Sequence, residues 1–336
     1  MDGMYKREEG YTLIIVLWAI VILSLIFVNL IDKTHIENVL ILNNKKNIKN
    51  YETILSAVNL GINQLKKDTT IYDSKKDNWY KPLEGRLDGF NYTVLIRDSG
   101  SKLNINYTQK KILSKLSWWN KELKNNIGNS LVPDLLYIKG LLGANYNNAK
   151  NVITTYSKYN INSDSINGMK NLLYFVGTPG GQVNVIVDSL EKYRKKEKRI
   201  KSINQIPAAV KGLDLSTLEK LRPYITVKGQ ININLVSENV LTAILRGLRM
   251  NQNQGEDIIN YRGIYVIKEI SQLEEILSEE NFKKIAPFLT TTSRIFTMKV
   301  IVSDDEGAHS EEVNLVLERS SSGKGNWNIK IIKWQE

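Results

Sequence analysis

The stretch that decides the fold lies near the start of the chain, where residues 11–31 read YTLIIVLWAIVILSLIFVNLI without one charged side chain. As a helix with a rise of about 1.5 Å per residue, this stretch is about 30 Å long and matches the hydrocarbon core of a bilayer. A secretory signal peptide has a shorter apolar region, of about 7–15 residues, and ends at a small-residue cleavage site. No such site follows here, so the sequence predicts a retained membrane helix over 11–31.

A helical period continues beyond the membrane segment. Tyr51, Leu55, Val58, Ile62 and Leu65 alternate spacings of four and three residues, which is an apolar stripe on one helical face. We therefore predict an amphipathic stalk helix over 32–68. Its stripe can pack on other helices or on the head domain of the same chain.

The remaining sequence predicts an α+β head. From Phe90 to Ile96 apolar and polar residues alternate with period two, which is typical of a strand, and similar runs recur at 296–302, 313–317 and 327–331. The sequence between these runs is mostly helical in character. We predict a β-sheet domain over 69–110 and 291–336, antiparallel and pilin-like by the resemblance described below, with a large α-helical domain inserted over 111–290.

The predicted insertion contains a repeat. Tyr193-Arg194 recurs as Tyr261-Arg262, and the Pro-aromatic step of LRPYIT (221–226) recurs in IAPFLT (285–290). These pairs predict a duplicated helical module with units at about 190–226 and 258–290. A second echo pairs KLNIN (102–106) with QININ (230–234), in which Asn-Ile-Asn ends an extended segment before a helix.

Composition and motifs argue against an enzyme. The chain has no cysteine and two histidines, which excludes a disulfide scaffold, a thiolate zinc site and a cysteine nucleophile. It has no Gly-x-Ser-x-Gly elbow, no phosphate-binding loop ending in Lys-Ser/Thr and no His-Glu-x-x-His. We therefore predict a protein without catalytic residues.

Charge leaves two kinds of partner to consider. The net charge of +11 is compatible with nucleic acid or anionic lipid, and the run KYRKKEKRIK (192–201) is the densest positive segment. Neither repeat carries the Gly-hydrophobic-Gly hairpin that directs backbone amides at a DNA phosphate, so we interpret the run as a solvated face. Asp304, Asp305 and Glu306 offer oxygen ligands for calcium, but their spacing differs from that of an EF-hand loop. A solvated hairpin is the favoured interpretation of these three residues.

Taken together, these residues resemble the K family of minor pseudopilins of the bacterial type II secretion system. Gly10 followed by YTLIIVLWAIVIL is similar to the leader junction that a prepilin peptidase cuts. The fifth residue after that cut is Ile15, where most pilins and pseudopilins carry Glu and the K subunit is the exception. Further segments similar to the K family are SGSKLNIN (99–106), GQININLVSENVLTAIL (229–245), INYR (259–262) and TSRIF (292–296).

This resemblance implies a leader peptide over 1–10, cleavage between Gly10 and Tyr11, and N-methylation of Tyr11. It implies a single-pass protein of the inner membrane with its C-terminal part in the periplasm. The expected partners are minor pseudopilins I and J, the major pseudopilin, the prepilin peptidase and the inner-membrane assembly platform. The expected role is to form the pseudopilus tip and to help initiate pseudopilus assembly for protein export.

Some members of the family bind calcium, for which Asp304, Asp305 and Glu306 are the candidates, although no cofactor is expected to be required. Two other functions stay open at this point. One is a minor pilin of a type IV pilus or competence apparatus. The other is a membrane-tethered DNA-binding protein with helix-hairpin-helix-like repeats, although we do not expect nucleic acid as a partner.

Overall fold

The computed structural model describes residues 2–127, 130–196, 198–251, 253–304, 310–321 and 327–335, with side chains described from residue 11 onward. The chain folds as an α+β protein with a long N-terminal helix, an antiparallel sheet and a helical insertion. The helices are α1 (Asp2–Lys66), α2 (Lys110–Leu113), α3 (Lys121–Asn126), α4 (Lys139–Leu142), α5 (Tyr146–Val152), α6 (Ile166–Phe175), α7 (Gly180–Lys195), α8 (Ile206–Ala209), α9 (Leu215–Leu221), α10 (Glu238–Gly247), α11 (Asn253–Ile264) and α12 (Glu279–Ile285). The strands are β1 (Leu83–Leu87), β2 (Phe90–Asp98), β3 (Leu103–Asn104), β4 (Ile153–Thr154), β5 (Tyr159–Asn160), β6 (Ile225–Thr226), β7 (Ile231–Asn232), β8 (Leu289–Thr290), β9 (Ile295–Asp304), β10 (Ser310–Ser321) and β11 (Trp327–Gln335).

The main sheet has five antiparallel strands in the order β1-β2-β9-β10-β11. Asp88 and Gly89 both have positive φ and join β1 to β2 in the tight turn that suits a twisted hairpin. β2 and β9 are neighbours in the sheet although residues 99–294 separate them in the chain. Helices α2 to α12 therefore all lie in an insertion between two adjacent strands.

One face of the sheet is covered by the last third of α1. The buried positions of the helix include Ile54, Ala57, Val58 and Leu65, which pack against apolar side chains of β2 and β9. Gly61 allows the closest approach, because a Cβ there would lie 2.6 Å from the Met298 methyl group.

The face of α1 that packs includes Val58, Ile62 and Leu65 of the predicted stripe but not its first two residues. Tyr51 and Leu55 are exposed, whereas Asn50 and Thr53 are buried in their place. The apolar pattern therefore predicts the contact face over 58–65 and misses it over 50–54.

The insertion consists of three successive modules, over 103–154, 159–226 and 231–290. Each module opens with an apolar residue followed by Asn-Ile-Asn and closes with Ile-Thr or Leu-Thr. In each, the opening strand pairs in parallel with the closing strand, as β3 with β4, β5 with β6 and β7 with β8. The repeating unit is thus longer than the predicted units, and it occurs three times.

The second asparagine of each opening segment makes the same pair of hydrogen bonds in all three modules. Its side-chain NH2 group donates to the backbone oxygen of a residue 26–38 positions later. Its side-chain oxygen accepts from the backbone N–H of that same residue. The equivalent pairs are Asn106 with Val132, Asn162 with Ile200, and Asn234 with Ile267. Because this asparagine makes the same two hydrogen bonds at the same position of each module, the three modules are structurally equivalent.

The repeated Tyr-Arg pair has an internal role. Arg194 donates to the backbone oxygens of Ile161 and Asp164 at the start of the second module. Arg262 donates to those of Ile233 and Val236 at the same place in the third, at 2.8 Å each. These arginines are therefore committed to backbone carbonyls within their own modules.

Candidate functional site: the exposed part of the N-terminal helix

The predicted cleavage junction lies within α1. Gly10 and Tyr11 are both inside this helix, and the Tyr11 side chain is 69% exposed. Ile15 is 66% exposed and Trp18 is exposed to a similar degree. Every residue of α1 from Tyr11 to Lys49 is exposed, so this part of the helix projects from the head, to which Lys46 near its end is paired through Asp304.

This exposed part has the character of a membrane segment at its start. Among the described residues one helix is long and apolar enough to cross a membrane, with a mean hydropathy of 3.0 in its most apolar window. Its polar side chains bond within the helix: Ser24, Asn29 and Thr34 each donate to the carbonyl four residues earlier, at 2.7–2.9 Å. Such internal bonding removes the cost of placing an unpaired polar group in lipid.

The apolar surface extends past the membrane segment. Ile36 and the run Val39–Leu42 are exposed and lie beyond residue 31. At 1.5 Å per residue, this second apolar patch lies about 8–16 Å above the end of the 11–31 segment. Large exposed apolar patches are typical of surfaces that contact a membrane or another protein. The exposed apolar surface of this helix therefore continues beyond residues 11–31.

The sheet has a defined orientation relative to this helix. Lys46 Nζ donates to Asp304 Oδ2 at 2.8 Å, which places the end of β9 beside the lower part of the packed helix. We call this the membrane-proximal end of the head. Arg319 Nη1 lies 3.0 Å from Asp68 Oδ2, just beyond the C-terminal end of α1, and this defines the distal end.

The insertion leaves and re-enters the sheet at the distal end. β2 ends at Asp98 and β9 begins at Ile295, and Asp98 lies in register with Phe296. The third module also bonds to the loop after α1, since Asn232 and Asn234 donate to the Asp73 backbone oxygen at 3.1 and 3.2 Å. The third module is thus anchored at the end of the head farthest from the apolar helix, and the first module also contacts the sheet, since Lys333 of β11 donates to Asp134.

No protein-family model and no curated protein matches the chain. Among solved structures, it is similar to a chain of the GspK-GspI-GspJ complex from the type 2 secretion system of enterotoxigenic Escherichia coli. The two are 14% identical with a TM-score of 0.41, and the alignment covers 87% of this chain and 98% of that chain. Functional assignment therefore depends on the residues and geometry described above.

One of the three residues considered for calcium lies in the described part of the chain. Asp304 is the last residue of β9, is largely buried, and accepts from the Lys46 ammonium. Asp305 and Glu306 lie outside the described residues. Calcium binding by these three residues therefore stays a prediction.

A different acidic cluster lies at the distal end and was not predicted. Asp68, Asp73 and Asp77 place one carboxylate oxygen each within 4.8 Å of one another. Burial raises the pKa of Asp73 to about 7, although the Arg319 guanidinium acts in the opposite direction. Burial also raises the pKa of Asp77. The three aspartates lie within ten residues of sequence, whereas Arg319 is about 250 residues away and joins them only through the fold.

Proposed function

We propose that this chain is a minor pseudopilin of a type II secretion system, and that it has the role of the K subunit at the pseudopilus tip. The observation that carries the proposal is a pairing of two features in one chain. An exposed apolar helix follows the Gly10–Tyr11 junction, and a large insertion leaves and re-enters the sheet at the opposite end of the head. The first feature suits helix-to-helix assembly, and the second suits a subunit with no neighbour above it.

Ile15 supports the tip position on electrostatic grounds. In pilin-like assembly, the Glu at the fifth mature position neutralises the N-terminal ammonium of a neighbouring subunit. An unpaired charge in the bilayer core costs several kcal/mol, so this pairing favours the addition of a subunit. Ile15 has no carboxylate and therefore gives no such pair to a subunit added above.

The insertion supports the same position on steric grounds. A pilin-like filament grows by stacking heads along the filament axis, each held by its N-terminal helix. Residues 99–294 emerge at the distal end, where the head of the next subunit would stack. We infer that they block this addition, and that the exposed patch at Ile36–Leu42 instead receives the helices of subunits below.

The remaining parts of the proposal follow from the same assignment. Residues 1–10 are a leader removed by prepilin peptidase, and Tyr11 is then N-methylated. The helix anchors the chain in the inner membrane, with the head in the periplasm. Minor pseudopilins I and J, the major pseudopilin and the assembly platform are its partners, and the chain works in assembly without catalysis.

Co-expression with a prepilin peptidase tests the leader assignment. The intact mass of the purified chain should fall by residues 1–10 and rise by one methyl group at Tyr11. A catalytically inactive peptidase is the matched control and should leave the full mass unchanged. An unshifted mass with the active peptidase would refute the assignment.

A further inference from the structure

The acidic cluster at the distal end contains a cation supplied by the protein itself. Asp68 lies just after α1, and Asp73 and Asp77 lie in the loop that leads to β1. Three carboxylates with oxygens within 4.8 Å repel one another strongly unless a cation lies among them. Oxygen ligands grouped in this way are also the donors that calcium takes.

Arg319 of β10 supplies that cation. Its Nη1 lies 3.0 Å from Asp68 Oδ2, and its Nη2 donates to Asp73 Oδ2. Nε and Nη2 also donate to the Ser293 backbone oxygen, at 3.2 and 2.9 Å. The Arg319 side chain is 1% exposed, so the guanidinium is a buried part of this polar network.

Two aromatic rings hold the guanidinium in place. Its central carbon lies 4.9 Å from the ring centroid of Phe296 and 4.5 Å from that of Trp327. The Trp327 indole also donates to the Asp68 backbone oxygen at 2.6 Å. A calcium ion on these carboxylates would lie beside the guanidinium as an unscreened like charge, or would have to displace it from this stack.

We infer that the Arg319 guanidinium takes the place of a divalent cation in this cluster, so that the head of this chain folds without calcium there. The three carboxylates and the Ser293 carbonyl form an oxygen cage around the guanidinium. Arg319 does not bond all of these oxygens, because Asp73 Oδ1 is buried and accepts no hydrogen bond. Removal of the guanidinium leaves these oxygens together with no cation. The cage then becomes a site for calcium.

Arg319→Gln tests this inference in the full chain in detergent micelles. Thermal unfolding is followed in EGTA and in millimolar CaCl2 for wild type, Arg319→Gln and Arg294→Gln. Arg294→Gln is the control, because it removes an exposed positive charge at the residue just before β9. In EGTA, Arg319→Gln should unfold several degrees below wild type. Calcium should restore at least half of that loss, because it binds the folded variant and not the unfolded chain.

The quantity compared is the calcium-induced shift in Tm of each variant relative to wild type. Wild type and Arg294→Gln should differ by no more than about 1 °C in this shift, because neither has an open cage. An equal shift in Arg319→Gln and wild type would overturn the inference.

Terbium luminescence gives a test that does not depend on the folding of Arg319→Gln. Trp327 lies beside the cage and would sensitise emission from a lanthanide bound there. Emission from a terbium ion in the cage would be lowered by added calcium and abolished by Asp77→Asn. Wild type should show no emission with these two properties. Such emission would place a metal in the cage beside Arg319 and would overturn the inference.

Discussion

Gly229 is the position at which one added methyl group should disrupt the insertion. A four-residue segment connects each closing strand to the strand that follows it, and the third residue of this segment is Ser157 after the first module and Ser293 after the third. After the second module this residue is Gly229. A Cβ there would lie 2.0 Å from the Leu289 backbone oxygen, where ordinary contact is 3.4–4 Å.

The size of the effect follows from what has to move. In Gly229→Ala the β7 and β8 backbones must separate by about 1.4 Å at this point. Gln230 and Ile231 donate to the Phe288 oxygen at 3.1 and 3.0 Å, and both bonds would lengthen. Overpacking costs about 1–3 kcal/mol and each lost bond about 1 kcal/mol, so we expect a loss of about 4 kcal/mol in unfolding free energy.

Thermal unfolding of the full chain in detergent, followed by circular dichroism, measures this loss. At about 2 °C per kcal/mol for a chain of this size, Gly229→Ala should lower Tm by about 8 °C. Gly263→Ala is the matched control, because Gly263 lies in α11 with no atom within 4 Å of its missing Cβ. The control should raise Tm slightly, by about 1–2 °C. A Gly229→Ala chain that unfolds within about 1 °C of wild type would refute the reasoning.

Three further substitutions test other parts of the insertion. Arg249 has φ 58° at the position where the second module has Gly177 with φ 80°, so Arg249→Gly should stabilise the chain by about 1 kcal/mol, and a lower Tm would contradict this. Arg262→Ala removes two charged hydrogen bonds to backbone carbonyls and should cost about 3 kcal/mol in urea unfolding, whereas a cost under about 0.5 kcal/mol would leave the arginine without a structural role. Burial raises the pKa of Asp164 to about 7. The Asp164 carboxylate of the folded state therefore binds a proton more tightly than that of the unfolded state. Its contribution to stability therefore grows as pH falls from 8 to 5, and Asp164→Asn should reduce that slope; an unchanged slope would exclude the shift.

Strongly periodic segments predicted their structures well. The uncharged run from Tyr11 to Ile31 lies in a helix, and the period-two run at 90–96 lies within β2. β1 was not predicted, because Leu83–Leu87 is short, contains a central glycine and carries charged side chains at its second and fourth positions. Its pairing depends on the Asp88-Gly89 turn and on β2, which are tertiary constraints.

Long-range relations set the limit of sequence reasoning in the head. The first module, residues 103–154, has neither the Tyr-Arg pair nor the Pro-aromatic step of the other two. Only its Asn-Ile-Asn segment and closing Ile-Thr are kept, and their equivalence depends on the parallel pairing of β3 with β4. The partners of Asp304 and Asp73, Lys46 and Arg319, are likewise brought together only by the fold.

The same limit applies to the candidate functional site. Gly10, Tyr11 and Ile15 could be selected from sequence because a leader junction and the fifth mature residue are local features. The emergence of the insertion at the distal end could not, because it depends on the register of β2 with β9 and on the Lys46–Asp304 pair.

Direct localisation in the assembled pseudopilus tests the tip assignment most directly. Pseudopili assembled with the other pseudopilins and the peptidase can be sheared, labelled with gold-tagged antibody fragments against residues 99–294, and examined by electron microscopy. We expect label at one end of each filament. Label spaced along the filament length would contradict it, because subunits would then stack above the insertion.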